Sequence, residues 1–239
     1  IRSDTWRLDR GANRVAHDRM AAAIEFLFSD ESSTLLRELI YGQVRDMESS
    51  SSRSANLGGI QKRLMAQSNH SGNLNPSQSK AFANAMEYRL SLIQGPPGTG
   101  KTHTAVRILG AWARNDAGPI LAVADSNVAV DNLLEGLLEQ GVKAIRIGQP
   151  VKVRESLREA TMAAQMEEHH LREDVDTIIE LNENAMRRLP SLKGKEKGLA
   201  HRDIKKGWKE VRRIENQMRD DILEHAQVIC ATCVGVGGR

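Results

Sequence analysis

Nine consecutive residues, Gln94-Gly95-Pro96-Pro97-Gly98-Thr99-Gly100-Lys101-Thr102, constrain the fold of this chain more than any other segment. From Gly95 to Thr102 they match G-x-x-x-x-G-K-[ST], a phosphate-binding loop that requires a strand before it and a helix after it. The apolar run Leu90-Ser91-Leu92-Ile93 stands in front, and a helix-forming run from Thr104 to Ala113 stands behind. Leu90 to Ile93 is therefore read as the strand that feeds the loop. Glycine lets the backbone curl until successive N–H groups point at phosphate oxygens. The helix behind adds the partial positive charge of its N-terminus. In that arrangement Lys101 would reach the β- and γ-phosphates of a nucleoside triphosphate, and the Thr102 hydroxyl would hold Mg²⁺. The bland alternative is a Gly/Pro-rich turn carrying a chance lysine, and the flanking strand and helix signals argue against it.

A chain of 239 residues suits one large domain or one domain with an insertion. It opens on Ile1 and closes on Gly235-Val236-Gly237-Gly238-Arg239 without a closing element, which reads as a fragment. A formal charge of +3 is too near neutral to argue for nucleic acid. Two cysteines make no disulfide framework, so the expectation is an intracellular protein, nuclear or cytoplasmic. No apolar stretch approaches the roughly 18 residues of a membrane span, and no signal peptide is visible, so no membrane partner is expected. With 3% aromatic residues, a base-stacking sheet is not expected either.

Along the chain, Asn13 to Phe28 has helical periodicity with Met20, Ile24, Leu27 and Phe28 on one face. Thr34 to Tyr41 reads as a short helix closed by Gly42, and Met47 to Gly59 as a Ser/Gly-rich connector. Asn75-Pro76 supplies an N-cap and a first-turn proline for a helix through Ala81, Phe82, Ala85 and Met86. Ile120 to Ala124 is a continuous apolar run, the pattern of a strand covered on both faces. Asp125 or Ser126 caps the next helix, whose stripe is Val130, Leu133, Leu134, Leu137 and Leu138. Gly141 ends that helix, Val142 to Ile147 reads as a strand, and Gln227 to Thr232 resumes the sheet. Alternating strands and helices imply right-handed crossovers and a parallel sheet.

Glu155 to His225 breaks the alternation: it carries helix-period sequence only, interrupted around Pro190 to Gly198. Nine acidic residues face two basic ones from Glu155 to Ala185, and eleven basic residues face three acidic ones from Arg187 to Arg213. This reads as a helical hairpin inserted in an α/β domain. Two explanations of its charge stay open: the arms pair with each other, or the basic arm (Lys193, Lys195, Lys197, Arg202, Lys205, Lys206, Lys209, Arg212 and Arg213) touches phosphate backbones. The organisation expected is a helical segment and linker over 1–60, an ATP-binding domain over 61–154 with 226–239, and an inserted subdomain over 155–225.

Three further features place the loop in context. Gln78, in Leu74-Asn75-Pro76-Ser77-Gln78, carries an amide that can donate and accept at once, which suits the N6/N7 edge of adenine. A surface glutamine in a first helical turn is the alternative. Ser126 and Asn127, in Ala124-Asp125-Ser126-Asn127-Val128-Ala129-Val130-Asp131-Asn132, sit at a strand end and helix start where a sugar-phosphate backbone can dock. Thr232, in Cys230-Ala231-Thr232-Cys233, ends the resumed strand.

In that order, with Trp6 to Asn13 in front and Arg146-Ile147-Gly148 between, these motifs resemble the superfamily 1B helicases of the group that includes the nonsense-mediated-decay helicase, senataxin and the immunoglobulin mu-binding helicase. The resemblance covers nearly the whole chain. It implies a P-loop NTPase (RecA-like) parallel sheet with flanking helices and a helical insertion, binding ATP and Mg²⁺. It also implies Gln78 as the adenine reader, with Gly95, Pro96, Pro97, Gly98, Thr99, Gly100, Lys101, Thr102 and His103 around the nucleotide and Thr102 on Mg²⁺. Lys101 and Thr102 would serve catalysis. Ser126, Asn127 and Thr232 would hold single-stranded RNA or DNA, and 5′→3′ translocation would follow. The insertion would be a further surface for nucleic acid or protein partners. Asp125 stands where the family has Pro, and His103 where it has Thr. The family's Asp-Glu-Ala motif and second RecA-like domain are expected beyond Val234, so residues 1–239 alone are expected to bind nucleotide weakly and hydrolyse it poorly.

Two rivals share the loop: a protein-remodelling AAA-type ATPase and a catalytically dead nucleic-acid scaffold. The first would need an apolar strand ending in Asp-Glu, which neither Ile120 to Asp125 nor Ile145 to Gly148 supplies. Cys230 and Cys233 offer two of the four ligands of a structural zinc site and are read as core residues. His169 and His170 are read as a solvated helix surface, and Trp112 and Trp208 as packing residues.

Overall fold

Three short apolar runs meet side by side although more than a hundred residues separate the first from the last. In the computed structural model, which describes residues 14–32, 37, 38, 40, 74–88, 90–115, 118–148 and 153–237, β1 (Ile120–Ala124), β2 (Ala144–Arg146) and β3 (Val228–Thr232) form a parallel sheet in the order β1-β3-β2. Ile120 pairs with Val228 and Ala124 with Thr232 on one side of β3. Ala144 to Arg146 pair with Val228 to Cys230 on the other. The crossover from β1 to β2 therefore skips one place, and β3 fills it. Gln227 fixes the register at the entrance of β3. Its Nε2 donates to the Ala113 carbonyl (3.2 Å), and its Oε1 accepts from the Lys143 N–H (3.0 Å).

Around the sheet stand α2 (Pro76–Glu87), α3 (Lys101–Arg114) and α4 (Asn127–Glu139), with α1 (Val15–Phe28) earlier in the chain. Val130, Leu134 and Leu137 of α4 are fully buried against Ile120, Ala122, Ala144, Val228 and Cys230. These eight side chains carry the apolar transfer energy of the sheet, each worth up to about 1.5–3 kcal/mol for the larger aliphatic ones. On α3, Ile108 and Ala111 meet Phe82, Ala85 and Met86 of α2, while Trp112 packs against both clusters. The chain divides into two compact units, Ile1–Ala55 with Cys233–Arg239 and Asn56–Thr232. In the first, α8 (Cys233–Val236) is tied to α1 by Arg19 Nη1 donating to the Val234 carbonyl (2.8 Å). Met20, Ile24 and Phe28 of α1 stay exposed. The short helix read from Thr34 to Tyr41 lies largely outside the described residues, and the connector from Met47 to Gly59 wholly so.

The strand read at Leu90 to Ile93 is not in the sheet: the segment is irregular, and Leu92 is 91% exposed. A strand exists only where a ladder satisfies its N–H and C=O groups. β1 pairs only with β3 among the described strands, so apolar sequence alone did not make Leu90 to Ile93 a strand. The same geometry corrects the reading of β1. It is buried on one face through Ile120 and Ala122, while Leu121 and Val123 are exposed, so it is not covered on both sides.

After a 3₁₀ turn (Glu155–Ala160) come α5 (Met162–Glu167), α6 (Arg172–Arg188), a second 3₁₀ turn (Leu189–Ser191) and α7 (Gly194–His225). The insertion is thus helical as expected, with α7 beginning inside the interruption read at Pro190 to Gly198. Val175 of α6 and Val211, Ile214 and Met218 of α7 form its own core, with Ile178, Ile179 and Trp208 packed against it. The two arms do not pair by charge. Among the described residues no ion pair joins α6 to α7; the arginines bond acids on their own arm, Arg172 to Glu167 and Asp176, Arg187 to Glu183, Arg213 to Glu210, and Arg219 to Glu215. Apolar residues occupy the contact, so the charged ones point away from it. The Arg213 hydrogen bonds hold the Glu210 carboxyl below its ordinary range.

Where the arms cross, Gly207 of α7 admits the Asn182 side chain of α6. A Cβ on Gly207 would meet Asn182 Oδ1 well inside contact distance, and the buried Asn182 Nδ2 has no hydrogen-bond partner. Gly207→Ala is expected to lower stability by about 1–3 kcal/mol through overpacking. The Asn182→Ala/Gly207→Ala pair should regain most of it, because the clash and the orphan amide vanish together. Chemical denaturation followed by circular dichroism checks both.

Cys230 is buried in β3, where burial pushes its thiol up to about 12 against an opposing pull from the Arg146 charge, and Cys233 is exposed. The core reading thus holds for Cys230 and fails for Cys233, which lies past the strand end. A thiol kept protonated is unreactive. Iodoacetamide at pH 8 is expected to label Cys233 in the native chain and Cys230 only after denaturation, as peptide mass mapping would read directly.

A phosphate-loop site and a polar sheet edge

The N-terminus of α2 is built by its own first residues. The Asn75 side chain accepts from the Gln78 N–H (2.9 Å), and Gln78 Oε1 accepts from the Asn75 N–H (3.0 Å), a reciprocal capping box. Ser77 Oγ donates to the same Asn75 oxygen (2.8 Å). Gln78 therefore has the first-turn role that was its alternative reading. It does something more as well: Nε2 donates to the Thr99 carbonyl (3.0 Å), tying α2 to the phosphate loop. An amide bonded in this way keeps one N–H and one acceptor lone pair for a further partner.

The loop holds its shape with its own atoms. Thr99 Oγ1 donates to the Pro96 carbonyl (2.8 Å), and Thr104 Oγ1 to the Gly100 carbonyl (3.0 Å). Gly98 and Gly100 take φ of 79° and 81°, the left-handed region that glycine reaches without penalty. A Cβ at Gly100 would also meet Gln78 Nε2 at 2.6 Å, so the glycine is needed for the bridge to α2. Lys101 Nζ folds back to donate to the Gly95 (2.6 Å) and Pro96 (2.8 Å) carbonyls. No side chain caps α3, so its first-turn N–H groups are not taken by a capping side chain. Lys101, Thr102 and His103 are exposed on that turn, with Pro96, Pro97, Gly98 and Thr99 exposed before it.

A second group gathers at the carboxyl edge of the sheet, where ligands of parallel α/β folds bind. Ser126 and Asn127 follow the end of β1, and Thr232 ends β3, paired with Ala124. Ser126 caps α4, its Oγ accepting from the Ala129 N–H (3.2 Å); Asp125, the other candidate cap, is exposed beside it. Asn127 is held from beneath. Arg146, 1% exposed, donates from Nε to Asp131 Oδ1 (2.7 Å) and from Nη2 to Asn127 Oδ1 (2.8 Å). Asp131 Oδ2 also accepts from the Arg154 N–H (3.4 Å). A guanidinium only donates, so it must face the amide oxygen and turn the Asn127 NH₂ group outward. Arg146 and Asp131 stand in motifs quoted from the sequence, but their pairing beneath Asn127 was not read there. The available signal was a basic residue at the end of an apolar strand and an aspartate next to the apolar stripe of the preceding helix.

Other candidates fall away from both groups. His169 and His170 lie in the turn between α5 and α6 rather than on a helix. His169 Nδ1 accepts from the Leu171 N–H (3.2 Å), and its Nε2 lies 3.7 Å from Asp221 Oδ2. A cavity of about 750 Å³ that His169 and His170 line together with Lys143, Glu159, Asp221 and His225 includes no residue of the phosphate loop. Trp112 and Trp208 pack in clusters, as read. No helix among the described residues is long and apolar enough to cross a membrane.

Comparison with known proteins places this geometry. Residues 73–239 match the AAA domain family. The chain is 32% identical over 235 residues to a putative regulator of nonsense transcripts 1 of Takifugu rubripes, covering 97% of this chain and 19% of that one. It is 36% identical over 166 residues to the ATP-dependent helicase NAM7 of Saccharomyces cerevisiae, covering 70% and 16%. With an uncharacterized ATP-dependent helicase of Methanocaldococcus jannaschii it shares 31% identity over 167 residues, covering 66% and 25%. The matched part of this chain thus spans at most a quarter of these relatives' lengths. The parallel sheet with its phosphate loop is the α/β fold of P-loop NTPases, and the chain belongs to the AAA domain family, in the superfamily 1 helicase group of the regulators of nonsense transcripts.

Proposed function

We propose that this chain is the ATP-binding motor domain of an ATP-dependent helicase that moves 5′→3′ along single-stranded RNA or DNA. The observation that carries the reading is the Gln78 bridge to Thr99, which joins a hydrogen-bonding amide to the phosphate loop. A bare loop would bind phosphate alone. With Gln78 fixed against it, the spare N–H and lone pair of the same amide can read the N6/N7 edge of adenine. The relatives named as ATP-dependent helicases support that assignment.

Within the site, the N–H groups from Gly98 to Thr102 take the phosphate oxygens, and Lys101 exchanges two loop carbonyls for β- and γ-phosphate oxygens. The Thr102 hydroxyl is a hard oxygen ligand suited to Mg²⁺, the ion that neutralises charge on the triphosphate. Ser126, the outward NH₂ of Asn127 and the Thr232 hydroxyl hold the strand by its phosphates and sugars. Such contacts set grip and register and carry no sequence preference. The exposed Asp125 next to them weakens the grip on phosphate by repulsion, which marks a difference from the family pattern.

Lys101→Ala is expected to abolish mant-ATP binding while the circular dichroism spectrum stays intact, because Lys101 is exposed and carries no core contact. Unchanged nucleotide binding would remove the loop from the site. Asn127→Asp keeps the bond to Arg146 but presents an anion in place of the NH₂ group. Affinity for a fluorescent oligonucleotide, read by anisotropy, is expected to fall at least about tenfold, a loss of 1.4 kcal/mol or more. Mant-ATP binding should not change. Equal oligonucleotide affinity would take Asn127 out of the contact set.

A further inference from the structure

A buried charge is costly unless every arm of it is used, and the largest fully buried side chain among the described residues is a charged one, Arg146. Its backbone is held from both sides, paired with Cys230 of β3 and bridged to Thr161. Its guanidinium then spreads over three neighbours. Nε donates to Asp131 and Nη2 to Asn127. Nη1 lies against Gly148, where a Cβ would meet it at 2.7 Å. Gly148 also takes φ of 147°, a conformation that side chains disfavour. The Arg146-Ile147-Gly148 run therefore works as a unit, in which the glycine leaves room for the arginine to fold back over it. Of the two acceptors, Asp131 is 3% exposed and Asn127 is only half-buried. The network is closed at the aspartate and open at the amide. A lysine could not replace this arginine, because a single ammonium does not fork to two separate acceptors.

We propose that Arg146 is a positioning residue for strand binding, which touches no nucleotide yet fixes which end of the Asn127 amide faces the strand, with Gly148 clearing its space. The inference rests on the motor reading above and adds two residues to it. An amide with nothing beneath it can turn over and present its oxygen, an acceptor, to the oxygens of a phosphate. A guanidinium has no lone pair, so it keeps Oδ1 inward and the donor outward. Asp131 holds the guanidinium in that pose and balances its charge. Stability alone does not call for the pair, since a matched apolar replacement of both members can be neutral. Such a replacement would fill the space and leave Asn127 without the donor that orients it. A contacting side chain is only as well placed as the buried groups behind it.

The test uses the full chain and a fluorescein-labelled 20-nucleotide oligo(U), with anisotropy read between about 50 and 200 mM NaCl, the range over which phosphate contacts show in the salt dependence. The matched variant Arg146→Met/Asp131→Leu should keep its circular dichroism spectrum and its mant-ATP binding, while oligonucleotide affinity falls at least about fivefold. The slope of log K against log[NaCl] should stay as in the wild type. A slope shallower by about 0.7 would mean that Arg146 itself neutralises a phosphate, and would overturn the positioning role. Asn127→Ala should lower affinity by a similar factor, and adding the matched pair to it should cost less than about twofold more, because coupled residues are not additive. Losses that multiply would show a general effect on the fold and overturn the proposal, with the motor reading left standing. Should the matched variant lose its spectrum, Arg146→Lys, which keeps Asp131 compensated but has no second arm for Asn127, carries the same expectation against Asn127→Ala. Gly148→Ala, far from the nucleotide loop in sequence, should also weaken oligonucleotide binding at least about threefold with mant-ATP binding intact, and wild-type affinity there would strike Gly148 from the unit. A wild-type chain that binds no oligonucleotide would overturn the strand contact and the positioning role together.

Discussion

The buried pair of Arg146 and Asp131 is the contact on which the polar edge of the sheet depends. It fastens the end of β2 to the middle of α4, and through its remaining atoms it holds the Asn127 amide and the Arg154 backbone. Two buried charges gain stability only when nearly all their hydrogen-bonding capacity is used. Here the aspartate accepts with both oxygens, and the arginine donates in two directions. Removing one member of such a pair costs about 3–5 kcal/mol, whereas a matched apolar replacement of both can be neutral. The pair is therefore explained less by stability than by what it orients, an amide at the carboxyl edge of the sheet.

The phosphate loop follows the opposite rule. It is exposed, and it keeps its form through short-range bonds among Gly95, Pro96, Thr99, Gly100, Lys101 and Thr104. Gln78 adds a contact from outside, anchored in turn by the capping box of α2. The Phe82, Ala85 and Met86 contact with Ile108 and Ala111 keeps α2 beside α3, so that contact helps hold the Gln78 amide in place. A cradle shaped before its ligand arrives loses less conformational freedom on binding.

How far the sequence could be read follows from the range of the forces involved. Caps, turns and helix periods are local, and Asn75, Ser126, Gly141 and the hairpin helices stand where they were expected. The phosphate loop was legible for the same reason, because its geometry is written in consecutive residues. Pairing is not local. Leu90 to Ile93 has strand composition but no ladder, and the opposite charges of the hairpin arms promised ion pairs that the packing direction forbids. The role of Arg146 beneath Asn127 went unread for a third reason: a buried guanidinium is intelligible only with its acceptors, and those lie on another element. The double duty of Gln78, cap and bridge together, is likewise invisible until the loop is folded against it.

The middle strand of the sheet is the last of the three in sequence. Gln227 reaches the Ala113 carbonyl 114 positions back and the Lys143 N–H 84 positions back. As a chain is made, β1 and β2 cannot pair, because a strand's width of empty space lies between them. Long-range parallel pairing of this kind is slow, since the entropy of closing the loop is lost before contacts repay it. The α6–α7 hairpin has a core of its own and can form locally. Once formed, it turns most of that loop into a rigid fold whose ends lie near each other. The sheet edge that holds Ser126, Asn127 and Thr232 is thus completed by the strand that comes last in sequence, across a connection that is mostly helical hairpin.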